Sequence, residues 1–126
     1  MRKRPARRRD RGQAAIEYLG FLPILLIVGL AGLQLGVAAY AAQQAGTAAR
    51  AAARAASMRD EENAPDAEAV GFAAADWVID VEAGPAGDAA VATVTVRVPS
   101  VVPFWNFDPV EKTATMPMSP DQEEGP

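Results

Sequence analysis

The chain has no cysteine and no histidine among its 126 residues. The first absence removes disulfides and thiolate nucleophiles, and the second removes imidazole bases. Together they remove the usual zinc ligand sets. Any folded part outside the cytoplasm must therefore hold together by packing or by partners. Positive charge is also scarce beyond the start of the chain: from Arg50 onward five basic residues face fourteen acidic ones. An acidic region of that kind repels phosphate, which argues against nucleic acid as a partner. Asp76, Asp80 and Glu82 fall on the polar side of a strand pattern, so they read as a solvent face. No catalytic, cofactor-binding or metal-binding residue is assigned, and the chain is not read as an enzyme.

What is present is ordered along the chain. Arg2, Lys3, Arg4, Arg7, Arg8, Arg9 and Arg11 give seven positive charges before Gly12, against Asp10 alone. Between Gln13 and Ala49 the only charged residue is Glu17. The apolar stretch Leu19–Ala42 is 24 residues long, which as a helix is about 36 Å, more than the roughly 30 Å hydrocarbon thickness of a bilayer. In so small a protein nothing else would bury such a helix, so the stretch reads as a membrane span. Short basic segments stay on the cytoplasmic side, which puts the N-terminus inside and the acidic part outside.

Pro23 lies early in this helix, where a kink is expected. Gly29, Gly32 and Gly36 follow, the last two in GxxxG spacing, and small residues there allow a second helix to approach closely. Beyond Ala42 no breaker appears. Gln43, Gln44, Thr47, Arg50 and Arg54 are separated by alanines, the best helix formers, so the helix is expected to leave the membrane as one rod and end near Ser57. Arg50 and Arg54 share a face. Asp60, Glu61, Glu62, Asn63 and Pro65 end the helix, and Ala67–Asp76 reads as a short helix or a lead-in.

A strand signature follows. Trp77, Ile79 and Val81 alternate with Val78, Asp80 and Glu82. After a turn containing Gly84, Pro85, Gly87 and Asp88, the residues Ala92, Val94, Val96 and Val98 alternate with Val91, Thr93, Thr95 and Arg97. Period two with β-branched residues predicts an antiparallel pair. Pro99 and Pro103 demote Val101 and Val102 to an edge or loop, Phe104, Trp105 and Phe107 cluster in a turn, and Val110–Met116 is a candidate third strand. A β region this small buries too little apolar surface to stand alone without disulfides or metal. It is expected to pack on the amphipathic part of the helix or on a partner.

The expected fold is α+β: one long N-terminal transmembrane helix extended outside the membrane, followed by a small antiparallel β region. In numbers, residues 1–12 form a basic leader without regular structure and 13–58 the helix. Residues 59–76 form an acidic linker, 77–118 the β region, and 119–126 a disordered acidic tail.

The segment Arg11-Gly12-Gln13-Ala14-Ala15-Ile16-Glu17-Tyr18 carries the most specific signal. A carboxylate at the edge of a spanning helix is a functional candidate by default, though Glu17 at headgroup depth, paired with Arg11, also satisfies the physics. A basic leader ending in Gly, a Glu five residues on and an uninterrupted apolar helix resemble the class III signal of type IV prepilins. Glu17-Tyr18 resembles the Flp-type pilins. With Pro23, the Ala/Arg-rich extension and the strands, residues from about Arg11 to Val98 resemble the TadE-like proteins, minor pilins or pseudopilins of tight-adherence (Tad) pili. TadE-like helices usually carry an acidic-aromatic pair further along; here Gln34-Leu35 stands in that region.

The resemblance implies that a prepilin peptidase cuts between Gly12 and Gln13 and leaves the helix in the mature protein. It implies that Glu17 and Tyr18 serve assembly, and that other pilin-like subunits and membrane lipid are the partners of the helix, with Pro23, Gly29, Gly32 and Gly36 as packing positions. It places the protein in the bacterial cell membrane, N-terminus cytoplasmic, as part of a pilus or its assembly. Two other readings stay open. An uncleaved single-pass scaffold would keep the leader. A conventional signal peptide would use the A-x-A-like Ala39-Tyr40-Ala41, although Glu17 and the length of the apolar run fit it poorly.

Overall fold

The computed structural model describes residues 6–58 and 62–118, with side chains from Arg11 onward. The sequence-based expectations for Met1–Pro5, Asp60, Glu61 and the tail 119–126 lie outside the described residues. Two helices and three strands follow in order: α1 (Ala6–Ser57), α2 (Ala67–Ala74), β1 (Val78–Ala86), β2 (Ala89–Val96) and β3 (Val110–Pro117).

Helix α1 dominates. Its 52 residues make a rod of about 78 Å at about 1.5 Å per residue, continuous through Pro23. It starts at Ala6, inside the stretch read from sequence as an arm without regular structure. Arginine is a good helix former and nothing between Ala6 and Arg11 breaks a helix, so the turns propagate backward from the long apolar segment at little cost. At the other end Ser57 Oγ donates to the Arg54 carbonyl at 2.7 Å and the Met58 amide to that of Ala55 at 3.2 Å. These bonds satisfy two carbonyls that the helix end would leave open.

The strands form one antiparallel sheet in the order β1-β2-β3. The hairpin turns at Gly87 and Asp88, between the paired residues Ala86 and Ala89. Gly87 has φ of +64°, a conformation that glycine reaches without a side-chain clash. Gly84 and Pro85, expected in the turn, lie instead in β1, and a proline is tolerated there because β1 is an edge strand. On β2 the residues Ala90, Ala92, Val94 and Val96 point into the core, continued by Val98. The outward face is polar: Thr93 and Thr113 hydroxyls meet at 2.9 Å, and Thr95 donates to Glu111 at 3.3 Å. Both are directly opposed pairs in the register between β2 and β3.

In β1 the simple alternation breaks. Val78 pairs with Val96 but Asp80 pairs with Thr95, which leaves Ile79 as a bulge. One extra residue reverses the facing of everything before it. Val81 is buried and Val78 packs against the core, while Ile79 is exposed. Trp77, Ile79 and Val81 therefore do not share an inward face.

The sheet lies on one side of the upper part of α1, where Ala41, Ala45, Ala48, Ala49, Ala52 and Ala53 are all buried against it. A β region that leans on the helix is what its small size called for. Among the described residues no aromatic side chain is buried in the core, and Val94 and Val96 are the largest fully buried side chains. Alanines let the sheet approach the helix closely, and the resulting core is thin.

The stretch expected as an acidic linker contains α2. Asp66 caps it, its carboxylate accepting from the Glu68 amide at 3.2 Å, a standard way to satisfy an open N-terminal donor. The helix crosses both α1 and β1 at Gly71. A Cβ added there would sit 2.8 Å from Val81 Cγ1 and 3.2 Å from Ala52 Cβ, so three elements meet where only a hydrogen fits.

Candidate functional site

The residues singled out in the sequence all lie on α1, and they fall on its bare part. From Ile16 to Val28 the large apolar side chains are more than half exposed, with Leu26 at 65% and Ile27 at 66%. In water such a surface would be a severe liability. Among the described residues this is the one helix long and apolar enough to cross a membrane. Gly12, Gln13, Glu17, Tyr18 and Pro23 are all exposed on it. Gly12 and Gln13 are already helical.

Gly29, Gly32 and Gly36 lie within about 60° of one another around the helix, at about 100° per residue. No atom of this chain comes within 4 Å of a Cβ built on any of them. The side of the helix they occupy is opposite the one that carries the sheet. Tyr18 lies three turns earlier on the same side, and Arg50 and Arg54 follow further up, exposed. A continuous side of α1 is thus left without a partner from its own chain, with glycines where the closest approach to another helix is possible.

Three polar or aromatic side chains on α1 hold the domain to the rod, and none was assigned a role from sequence. Gln34 is buried, with 4% of its surface exposed. Its Nε2 donates to the Pro99 carbonyl at 3.1 Å, and its Oε1 accepts from the Val101 amide at 2.8 Å. Gln44 Oε1 accepts from the Asp76 amide at 3.2 Å. Tyr40 meets Trp77 edge to face at 5.4 Å between ring centroids, and Trp77 takes up φ of +63°, a conformation rare for a bulky residue. The Trp77 carbonyl accepts from the Arg97 amide at 2.8 Å. In the sequence Gln34 stands where TadE-like helices usually carry an acidic-aromatic pair. The usable signal was an amide alone in an apolar run, which must be satisfied if it is covered.

Below Gln34, the segment from Val101 to Phe107 turns back along the helix. Val102, Pro103, Phe104, Trp105 and Phe107 line an apolar groove with Ile27, Leu30, Ala31 and Leu35. Among the described residues no three His, Cys, Asp or Glu side chains are grouped to hold a metal ion.

Compared with known proteins, residues 12–54 match the model of the family described as TadE-like protein. No curated protein and no solved structure matches the chain. The match begins at the glycine ahead of the apolar helix and ends at the last arginine of α1, so it covers the bare side, the glycines and the alanine face together. The similarity to the TadE-like family therefore runs from Gly12 to Arg54, the segment that holds Glu17-Tyr18 and Pro23.

Proposed function

We propose that the protein is a TadE-like minor pilin or pseudopilin: a membrane-anchored structural subunit of a Tad-type pilus or its assembly machinery, with no catalysis of its own. The observation that carries this reading is the bare lower part of α1, apolar and unpartnered, continuous with an upper part that carries a small folded domain. A helix so arranged anchors the domain in a bilayer and offers neighbouring helices its glycine side.

Processing follows from the leader. A prepilin peptidase would cut between Gly12 and Gln13 and leave the anchor intact. A protease needs its substrate locally unwound, and Gly12 weakens the helix there by about 1 kcal/mol relative to alanine while presenting no side chain at the scissile bond. The cut would create an α-amine on Gln13, four residues before Glu17 and so on the same side of the helix. In a low-dielectric setting an ammonium and a carboxylate attract far more strongly than in water. Glu17 then supplies the charge that pairs with such an amine, its own or a neighbour's, as subunits come together. The basic leader keeps the N-terminus cytoplasmic and the acidic domain outside.

Terminal sequencing of the chain extracted from membranes of a cell with its own prepilin peptidase tests the reading. The mature chain should begin at Gln13, and Gly12→Val should block the cut. A chain beginning beyond Ala39 would mean a conventional signal peptide. An intact N-terminus despite an active peptidase would leave an uncleaved scaffold.

A further inference from the structure

We propose that the loop from Ser100 to Phe107 is a membrane-interface anchor, seated in the headgroup and upper acyl region of the leaflet on the domain's side. The proposal rests on α1 spanning a bilayer, and it adds where the span stops and what grips the surface there.

The loop's height is fixed by Gln34, whose side-chain amide bonds both to the Pro99 carbonyl and to the Val101 amide. Above Gln34, Val37, Ala38 and Ala41 already belong to the domain's packing, so they are not available to lipid. Below it, residues 13–33 make a rod of about 31 Å, close to the roughly 30 Å of a hydrocarbon core. The outer boundary of the bilayer therefore falls near Gln34 rather than at Ala42, where the apolar run ends. The loop hangs from that boundary toward Ile27 and Leu30.

Its chemistry fits that depth. No charged residue lies between Arg97 and Asp108. Phe104 is wholly exposed and Trp105 is 62% exposed, while Trp105 stacks on Phe107 with centroids 6.0 Å apart. The tip is held outward by its own bonds: the Ser100 hydroxyl reaches the carbonyls of Val102 and Trp105, and Phe104 adopts φ of +65°. A bulky residue held in that conformation with its ring in the open marks a surface built to meet something. Aromatic rings concentrate at membrane–water interfaces, where the ring is buried among lipid and polar groups stay near water. Irregular backbone at membrane depth is tolerated only against protein, and this loop lies along α1 from Gln34 toward Ile27. The groove between the loop and α1 opens toward the lipid, and an acyl chain is the occupant whose shape and polarity it suits.

The test uses the full chain in phosphatidylcholine vesicles whose acyl chains carry bromine, a contact quencher of tryptophan emission. The protein has two tryptophans, so Trp77→Phe reports Trp105 alone and Trp105→Phe reports Trp77 alone. Ile24→Trp, with both native tryptophans replaced by phenylalanine, reports the span itself; circular dichroism checks that each variant keeps its helix. Trp105 should be quenched several-fold more than Trp77, and more by bromine near the headgroup than near the chain end. If the Ile24→Trp reporter is quenched but Trp105 is no more quenched than Trp77, the anchor is refuted while the span stands. Blue-shifted but unquenched Trp105 emission, the mark of a second protein over the loop, refutes it equally. If the Ile24→Trp reporter is itself unquenched, the span fails and the anchor with it.

Discussion

The lower and upper parts of α1 are built on opposite rules. Below Gln34 large side chains such as Leu25, Leu26 and Ile27 stand exposed. Above it the buried positions are alanines, Ala41, Ala45, Ala48 and Ala52 among them. In a water-soluble protein the large apolar residues would be inside and the small ones would be spread between. The inversion has a simple cause. On the proposed reading the lower part meets hydrocarbon, which a leucine suits from any direction. The upper part meets a sheet, which comes close only if the helix side chains are short. One uninterrupted backbone serves both.

The contrast can be broken most completely by removing the upper helix from the domain. A fragment running from Gly71 to Pro126 loses the whole alanine face and is expected to show no cooperative melt, because its thin valine core cannot offset chain entropy. Adding Gln44–Val70 should restore order by circular dichroism; a sharp transition from the short fragment would refute the dependence on α1.

Smaller effects probe single contacts. Gln34→Ala strips the partners from the Pro99 carbonyl and the Val101 amide, a loss of about 1–3 kcal/mol for buried groups. Amide exchange at Val101 should accelerate by one to two powers of ten, on the order of that free energy. Gly71→Ala forces a methyl against Val81 and Ala52. Overpacking costs about 1–3 kcal/mol, and the better helix propensity of alanine returns up to about 1 kcal/mol. A net loss of about 1 kcal/mol in a denaturant titration is expected. Smallest of all, Gly32→Ala should leave the fold untouched, since its Cβ would meet nothing in this chain, while weakening co-purification with helix partners.

Much of this division was visible in the sequence, and the reasons differ by element. The apolar run from Leu19 and the alternation of Ala92, Val94, Val96 and Val98 are periodic signals that tertiary structure had no cause to override. The dependence of the sheet on the helix followed from its size. The bulge at Ile79 was not legible, because a register shift is decided by how β1 meets β2 and α1 together. Gly71 looked like any helix glycine; its role exists only where α2, α1 and β1 cross. Gln34 was masked by its surroundings, since an apolar run long enough to span a bilayer reads as lipid-facing to its end. For the candidate site the signal lies in the sequence alone. Gly12, Gln13, Glu17 and Tyr18 form a linear motif that needs no folded neighbour, and the fold adds that they stand exposed on one helix.

The absence of native cysteine makes the central claim, that α1 changes partner at Gln34, directly measurable. Single cysteines placed along α1 of the full chain in vesicles can be challenged with a membrane-impermeant maleimide. Positions from Leu19 through Leu33 should resist labelling on every side of the helix. Beyond Gln34 the pattern should turn periodic, with Gln43, Thr47 and Arg54 positions reactive and Ala45, Ala48 and Ala52 positions protected. Protection on all sides up to Ala42, or labelling on all sides above it, would contradict the division.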